Sequence, residues 1–275
     1  MAVRKPGRIF IGVGGWNFAP WRGTFYPKGL VQREELAFAS RALTSIEINS
    51  TFYGPQKPAT FQRWHDETPE HFVFSVKAPM YTTHRRVLGE AGDSIERFLD
   101  GGVLRLGAKL GPINWQFAPT KRFDAGDFAQ FLDLLPKEHC GQSLRHALEV
   151  RHASFVDEAF VALARRHGVA VVLAGDARHP QIADVTAPFS YLRIMGTQKT
   201  LKTGYAAAAL TRWATRARAL AAGEMPRGLS VVADAATKAR ARDVYLYVIS
   251  GAKERNPLAA QALIERLAKP VSRRR

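Results

Sequence analysis

The chain has 275 residues, with 40 lysine and arginine residues against 24 aspartate and glutamate residues, so its formal net charge at pH 7 is +16. Hydrophobic residues make up 46% and aromatic residues 10% of the sequence, which is enough to bury a large core and excludes a mainly disordered protein. Cys140 is the single cysteine, which excludes an intrachain disulfide framework and any site built from several thiolates.

Short apolar segments alternate with helical patterns along the whole chain. The strand-like segments are 8–13, 45–49, 72–77, 112–117, 146–151, 169–173, 189–194 and 244–249. The helical patterns cover 33–42, 58–67, 94–106, a segment that opens near Asp127, 155–167, 205–222 and 257–268. Eight strands with helical crossovers predict an α/β fold, a single (β/α)8 TIM-type barrel with irregular later units. A doubly wound open sheet uses the same elements and is the alternative.

The ends of the chain bear on its organisation. We expect one barrel domain over residues 1–275, with a short basic tail from about residue 270. The first residues, MAVRKP, lead into a strand-like segment without the apolar core of a signal peptide. The longest purely apolar run, 169–174, is far shorter than the about 20 residues that a bilayer span needs. A soluble, cytoplasmic protein without a membrane partner is therefore expected.

Polar and charged residues interrupt several predicted strands near their carboxyl ends, where the active site of a TIM-type barrel lies. Alternate residues of a strand point to the same face, so side chains two positions apart can share the barrel axis. The residues in such positions are Glu47 and Asn49 in the second strand, Lys77 in the third, Gln116 in the fourth, Glu149 and Arg151 in the fifth, and Arg193 in the seventh. We expect them to form one cluster.

The charges of this cluster do not cancel. Lys77, Arg151 and Arg193 stand against Glu47 and Glu149, which leaves one extra positive charge and predicts an anionic ligand such as a carboxylate or phosphate. The structural alternative is that the charges only pair with one another, Glu47 with Lys77 and Glu149 with Arg151 or Arg193, in a non-catalytic barrel.

The leading hypothesis is an enzyme of the hydrolase or lyase/isomerase type that uses acid/base chemistry on a small anionic or phosphorylated substrate. Glu149 would act as general base or acid, Lys77 and Arg151 would stabilise developing negative charge, and Glu47 would hold Lys77 or act as the second carboxylate. Lys77 could also act as a Schiff-base nucleophile, although a salt-bridged lysine keeps its proton. The expected substrate-binding residues are Asn49, Tyr53, Arg151, Arg193, Gln116, Trp16 and His84.

No cofactor is expected. The stretch GVGGWN at 12–17 lacks the third glycine of a dinucleotide fingerprint, and neither an HExxH pair nor a Cys/His metal pattern occurs. A divalent metal held by Glu47, Glu149, Asp176 and a histidine stays open, although Lys77 and Arg151 nearby would oppose a cation.

Part of the positive charge collects late in the chain, and it allows a second class of function. These residues are Arg212, Arg216, Arg218, Arg227, Lys238, Arg240, Arg242 and Arg273 to Arg275. One interpretation is a solvated helix face and a frayed tail. The other is the basic binding surface of a nucleic-acid-binding or nucleic-acid-processing barrel.

Five motifs, in order along the chain, resemble the YecE-like family (domain of unknown function 72). They are GGW at 14–16 with WRGTFYP at 21–27, IEINSTFY at 46–53, FSVK at 74–77, KLGP at 109–112 and EVRH at 149–152. The resemblance covers nearly the whole chain and implies a TIM-type barrel, but it supplies no activity. The family usually has Leu-Arg-Leu-His-Gly at the seventh strand, where this chain has Met195, and an Asn- or Asp-rich turn after the eighth, where it has ISG at 249–251. Both departures indicate a divergent member with altered or lost chemistry.

Overall fold

The computed structural model describes residues 5–233 and 240–269. Eight parallel strands close into a barrel in which each strand pairs with its neighbours in the chain and the last pairs with the first. The strands are β1 (Ile9–Gly14), β2 (Ser45–Ile48), β3 (Val73–Lys77), β4 (Leu110–Gln116), β5 (His146–Glu149), β6 (Ala170–Gly175), β7 (Phe189–Ile194) and β8 (Asp243–Val248). The predicted TIM-type barrel is confirmed, and the closed sheet excludes the doubly wound alternative.

Helices follow most of the strands. They are α1 (Glu35–Ala42), α2 (Pro58–Glu67), α3 (Gly92–Asp100), α4 (Ala125–Asp133), α5 (Glu158–His167), α6 (Ala207–Ala222) and α7 (Asn256–Ala268). Residues 176–188, between β6 and β7, are irregular as predicted. One-turn helices at Ser50–Tyr53 and Met80–Thr83 and a small hairpin, Glu138–His139 with Gln142–Ser143, were not predicted.

The helix predicted over 94–106 is wrong in its second half. α3 ends at Asp100, because two glycines follow and Gly102 takes a φ of 103°, a left-handed conformation that glycine adopts at little cost. A 3-10 segment, Val103–Lys109, then leads into β4. Lys109 at its end donates from Nζ to the carbonyl oxygens of His65 and Thr68 at the end of α2, so this part of the KLGP motif is structural.

Aromatic side chains fill the barrel below its carboxyl end. Phe10 stacks on Tyr245 with ring centroids 4.9 Å apart, and Phe189 meets Tyr245 edge-on at 5.9 Å. Two residues further along the same two strands, the rings of Tyr191 and Tyr247 lie 5.2 Å apart. The Tyr hydroxyls contact the hydroxyls of Ser75 and Ser45 at 2.7 and 2.8 Å, and these serines donate onward to backbone carbonyls. These aromatic layers close the barrel from below, so the inward-pointing residues that follow them on the strands lie at the carboxyl end of the barrel.

Several of the late arginines bind the protein's own backbone. Arg218 donates to the carbonyls of Arg266 and Lys269 at the end of α7, and Arg216 donates to the carbonyl of Gly228 while its guanidinium lies 4.7 Å from the Trp213 ring. Arg242 is buried. The predicted basic tail from about residue 270, with Arg273 to Arg275, and Lys238 lie outside the described residues. Within 5–233 and 240–269, none of the helices combines the length and apolar character of a membrane span.

Candidate active site

A buried ion-pair triad occupies the barrel axis above the tyrosines. Arg193 on β7 donates from Nε to Oε2 of Glu47 on β2 at 3.0 Å, and from Nη1 to Oε2 of Glu149 on β5 at 2.5 Å. All three side chains are at most 4% exposed. Because alternate residues of a strand point to opposite faces, these side chains point into the barrel. Their neighbours on β2, Ile46 and Ile48, point outward and belong to the hydrophobic core. The predicted cluster therefore forms.

Glu149 is the most heavily bonded member. Arg151 donates to its Oε1 from Nε at 3.1 Å and from Nη2 at 2.8 Å, and Asn114 donates to its Oε2 at 3.3 Å, beside Arg193. Burial on its own raises the pKa of the Glu149 carboxyl, but Arg193, Arg151 and Lys77 outweigh it and lower the pKa to about 2. Glu149 is therefore ionised at neutral pH.

Lys77 does not pair with Glu47, although the structural alternative and one of the roles expected for Glu47 predicted it; Arg193 binds Oε2 of Glu47 instead. The Lys77 Nζ lies 3.6 Å from the centre of the Phe52 ring, and the side chain is 5% exposed. No hydrogen bond or ion pair joins this Nζ to any side chain or carbonyl among residues 5–233 and 240–269. Thr51 fixes the backbone here by donating to the Lys77 carbonyl at 2.6 Å.

The pKa of Lys77 reflects this environment. Burial has the largest effect and Arg193 the next; together they outweigh Glu47 and Glu149 and lower the pKa of the ammonium from 10.5 to about 8. Lys77 is therefore a buried group that exchanges a proton close to neutral pH.

A cavity of ≈ 490 Å³ opens above these residues at the carboxyl ends of the strands, and we refer to it as the mouth cavity. Its lining residues are Gly14, Gly15, Trp16, Asn17, Asn49, Ser50, Phe52, Tyr53, Lys77, Gln116, Arg151, Arg193, Ile249, Ser250, Lys253 and Asn256. Four of these lining residues are cationic, and none of the lining residues in the described part of the chain is acidic. Glu47 and Glu149 lie beneath this lining.

Lys253 is a lining residue that the sequence analysis missed. It follows β8 in a loop whose turn places Ser250 and Gly251 at φ of 61° and 60°. Thr197 fixes this loop, because its Oγ1 donates to Asn256 at 2.8 Å and its carbonyl accepts from the Ala252 amide at 3.0 Å. The Lys253 Nζ lies 4.3 Å from the Phe18 ring. Loops after the last strands of such barrels often bind phosphate, so the sequence pointed to this loop but not to the turn that brings Lys253 to the cavity.

Most of the predicted substrate-binding residues meet in the mouth cavity. Asn49, Tyr53, Arg151, Arg193, Gln116 and Trp16 all line it. Tyr53 is 78% exposed at its edge. Trp16 also packs edge-on against Trp64 at 5.0 Å, so it serves the core and the cavity together. Met195, at the position of the family histidine, is half-buried at the end of β7 and is not a lining residue.

His84 is the predicted substrate-binding residue that does not line the mouth cavity. It ends the one-turn helix Met80–Thr83, with its ring 5.5 Å from Phe52. Burial lowers its pKa, as do the nearby charges of Lys77 and Arg151. It lines a neighbouring groove of ≈ 480 Å³, the rim groove, formed by Thr83, His84, Arg85, Arg86, Ala118, Thr120, Lys121 and Arg122. The side of the barrel beyond Phe52 is therefore also basic.

Of the three carboxylates considered for a divalent metal, Glu47 and Glu149 lie together, but Asp176 binds other partners. Asp176 accepts from Trp213 Nε1 at 2.9 Å and from the Tyr205 hydroxyl at 3.1 Å, whereas Glu47 and Glu149 share Arg193. Across the described ranges, no group of three or more His, Cys, Asp and Glu residues has the arrangement of a metal site.

The model of a family described as "Protein of unknown function DUF72" matches residues 10–274. The chain belongs to the DUF72 family. Among DUF72 relatives, the UPF0759 protein YecE of Escherichia coli strain K12 is 29% identical over 150 residues, 54% of this chain and 50% of that protein. The UPF0759 protein YunF of Bacillus subtilis strain 168 is 32% identical over 118 residues, 40% of each chain. The matched part thus spans half or less of these relatives' lengths.

Solved structures of DUF72 proteins share the barrel. A DUF72 family protein from Thermotoga maritima superposes with a TM-score of 0.74 at 19% identity, covering 95% of this chain and 100% of that one. One from Enterococcus faecalis gives 0.66 at 14% identity, covering 94% and 97%. A xylose isomerase-like TIM barrel/4-hydroxyphenylpyruvate dioxygenase fusion protein gives 0.52 at 13% identity, covering 96% of this chain and 44% of that one. At these identities the likeness shows the fold alone.

Proposed function

We propose that the mouth cavity binds a small anionic or phosphorylated substrate and acts on it by acid/base chemistry. The observation that carries the proposal is the charge of the cavity, with Lys77, Arg151, Arg193 and Lys253 in the lining. Even with Glu47 and Glu149 beneath them, two positive charges are left over. Guanidinium groups held by buried carboxylates are preorganised to bind a carboxylate or phosphate.

The geometry supports a different division of roles from the one expected from the sequence. Glu149 accepts four hydrogen bonds, and its pKa is lowered to about 2, so it suits the orientation of Arg193 and Arg151 better than general acid/base catalysis. Lys77 titrates nearer to neutral pH and faces the cavity. We assign proton transfer to Lys77, and this favours a lyase or isomerase reaction over hydrolysis.

Arg151, Arg193 and Lys253 would bind the anion, with the amides of Asn49 and Gln116 orienting it. One barrel domain, acting in the cytoplasm, is part of the same proposal.

A thermal-shift screen with phosphorylated metabolites and sugar acids tests the proposal. A ligand at about 100 times its Kd adds about 2.7 kcal/mol of stability, which corresponds to several degrees in a chain of this size. The ligand-induced shift should be lost in Arg151→Gln. It should persist in Arg105→Gln, an exposed arginine before β4 at the opposite end of the barrel. Equal shifts in the two variants would contradict the assignment of the site.

The same screen separates the two possible roles of Glu149. If Glu149 only orients the arginines, Glu149→Gln reduces the ligand-induced shift at every pH but keeps its pH dependence, which belongs to Lys77. Loss of the pH dependence in this variant would return the acid/base role to Glu149.

The rim groove supports a second candidate, a nucleic-acid-binding barrel. Arg85, Arg86, Lys121 and Arg122 line it together with His84, and Tyr53 is exposed at the nearby edge of the mouth cavity. Basic grooves bordered by exposed aromatic rings suit single-stranded nucleic acid, whose bases stack while phosphates pair.

Fluorescence anisotropy with a single-stranded oligonucleotide across a salt series measures this binding. Arg86→Gln/Arg122→Gln should lower the salt slope by about 1.4, which is about 0.7 for each lost phosphate contact to a single strand. Arg63→Gln/Arg105→Gln should leave the slope unchanged. Equal slopes in both double variants would remove the rim groove as the binding surface.

A further inference from the structure

We propose that Lys77 is a Schiff-base nucleophile and that the substrate is a small anionic carbonyl compound, an aldehyde or ketone that carries a carboxylate or phosphate. The inference rests on the anion site of the proposed function, whose substrate class it names, and it assigns bond formation to the Lys77 nitrogen in place of proton transfer.

The first support is that Lys77 is held in place without an ionic partner. A salt bridge would keep the ammonium protonated and turned away from a substrate. Here Arg193 occupies one oxygen each of Glu47 and Glu149, and Arg151 occupies the other oxygen of Glu149. The Lys77 Nζ lies instead over the Phe52 ring at the wall of the mouth cavity. A salt bridge would have argued against a nucleophilic lysine, and Lys77 has none in the described structure.

The second support is the combination of burial and a cationic neighbour, one of the ways in which proteins activate a lysine. Lys77 is 5% exposed and its charge is opposed by Arg193. Lowering the pKa from 10.5 to about 8 raises the fraction of neutral amine near pH 7 by about 300-fold. The neutral amine is the form that attacks a carbonyl.

The third support is the arrangement of the remaining cations. Arg151 and Lys253 line the same cavity as Lys77, so an anionic group bound between them would bring an adjacent carbonyl within the cavity that Nζ faces. This is proximity catalysis, in which binding the anion prepositions the reacting carbon.

The step balances without an added oxidant or metal. The lysine nitrogen forms a bond to the carbonyl carbon, the carbonyl oxygen takes up two protons and leaves as water, and a carbon–nitrogen double bond remains. Starting from the ammonium, the products are one water and one protonated imine, so the positive charge at Lys77 is conserved. The imine then withdraws electrons from the neighbouring carbon, which favours proton removal or bond cleavage there.

Borohydride trapping tests the inference. The full chain is incubated separately with pyruvate, glyoxylate, dihydroxyacetone phosphate and glyceraldehyde 3-phosphate, reduced with sodium borohydride, and analysed by intact mass and peptide mapping. We expect one reduced adduct per chain with at least one probe, mapped to Lys77, and a yield that rises with pH through about 8. The adduct should be absent from Lys77→Arg and retained in Lys28→Met, which replaces an exposed lysine that does not line the mouth cavity.

The outcomes separate this inference from the proposed function. Thermal stabilisation by these anions without an adduct at Lys77 would overturn the Schiff base and leave the anion site standing. Adducts spread over surface lysines, with equal yield in Lys77→Arg, would also overturn it. If neither stabilisation nor an adduct appears with any of the four probes, the Schiff base is overturned, and the thermal-shift screen with the wider set of anions decides the proposed function separately. Mapping in the unmodified chain gives this answer even where a variant does not fold.

Discussion

Replacing Lys77 with methionine is expected to make the protein more stable at pH 7, although it removes a group that we assign to catalysis. Methionine keeps an apolar chain of similar length against the Phe52 ring, a favourable sulfur–aromatic contact. The change removes a buried ammonium that has no ionic partner in the described structure and lies near Arg193.

The magnitude follows from the pKa of Lys77. It is about 8 in the folded chain against 10.5 ordinarily, so between these values the unfolded state binds more protons and stability rises with pH. At pH 7 the full penalty is present, about 3 kcal/mol at 1.36 kcal/mol per pKa unit. The lost cation–π contact with Phe52 offsets about 1–2 kcal/mol. The net gain in the free energy of unfolding is expected to be about 1–2 kcal/mol.

Chemical unfolding of the wild type and Lys77→Met at pH 7, 8.5 and 10 measures this difference. The advantage of the variant should shrink as the pH rises from 8 towards 10.5, because Lys77 of the folded wild type then loses its proton while the unfolded chain still binds it. Lys28→Met, with the same charge change at an exposed site, controls for net charge. If Lys77→Met is instead less stable by 1 kcal/mol or more at every pH, Lys77 belongs to a structural network and our reasoning is wrong.

Three further predictions concern groups around the site. Arg193→Met leaves two buried carboxylates without their shared cation and should cost about 3–5 kcal/mol in urea unfolding at pH 7; adding Glu47→Gln should recover part of it, and a single-variant loss under about 1 kcal/mol would contradict the pairing. His146 accepts from Trp115 Nε1 at 3.0 Å, and burial lowers its pKa to about 4. The free energy of unfolding should therefore fall by about 3 kcal/mol from pH 6.5 to 4. An equal fall in His146→Phe over this pH range would refute the prediction. Thr197→Val should weaken binding of inorganic phosphate several-fold in calorimetric titration by freeing the Lys253 loop, at a cost of about 1–2 kcal/mol in stability; unchanged affinity would show that this loop does not depend on Thr197.

The barrel and its charged axis could be predicted because both follow from local patterns. Alternation along β2 and β7 places Glu47 and Arg193 inward once the sheet closes. The pairing of Glu149 with Arg151 and Arg193 agrees with the predicted alternatives, whereas Glu47 was expected to pair with Lys77 and pairs with Arg193 instead. Arg193 bridges Glu47 and Glu149 across the barrel, 146 and 44 residues away in sequence. Its long side chain ends in a planar guanidinium with several N–H donors, so one arginine can bind both carboxylates.

Loop conformation accounts for the remaining differences. His84 was expected at the site because it follows β3, but the one-turn helix Met80–Thr83 carries it past Phe52 to the rim groove. Lys253 reaches the mouth cavity because Ser250 and Gly251 take left-handed turns that Thr197 fixes. Such turns depend on contacts between distant loops, which a single sequence does not reveal.

The pattern of satisfied and unsatisfied groups argues for function over structure at this site. A cluster that only held the barrel together would pair its charges, because each buried polar group without a partner costs stability. Arg193 and Arg151 satisfy Glu149, yet within the described chain Glu47 Oε1 and Asn114 Oδ1 are buried without a hydrogen bond and the Lys77 Nζ has no ionic partner. These three groups lie at or beneath the mouth cavity, which has a surplus of positive charge. Glu35 Oε2, Thr82 Oγ1 and Arg85 Nε are also buried without a hydrogen bond, but their residues do not line this cavity. An anionic substrate would neutralise the surplus positive charge of the lining, to which Lys77 contributes. The stability gained by Lys77→Met would measure the free-energy cost of keeping this buried lysine at the cavity.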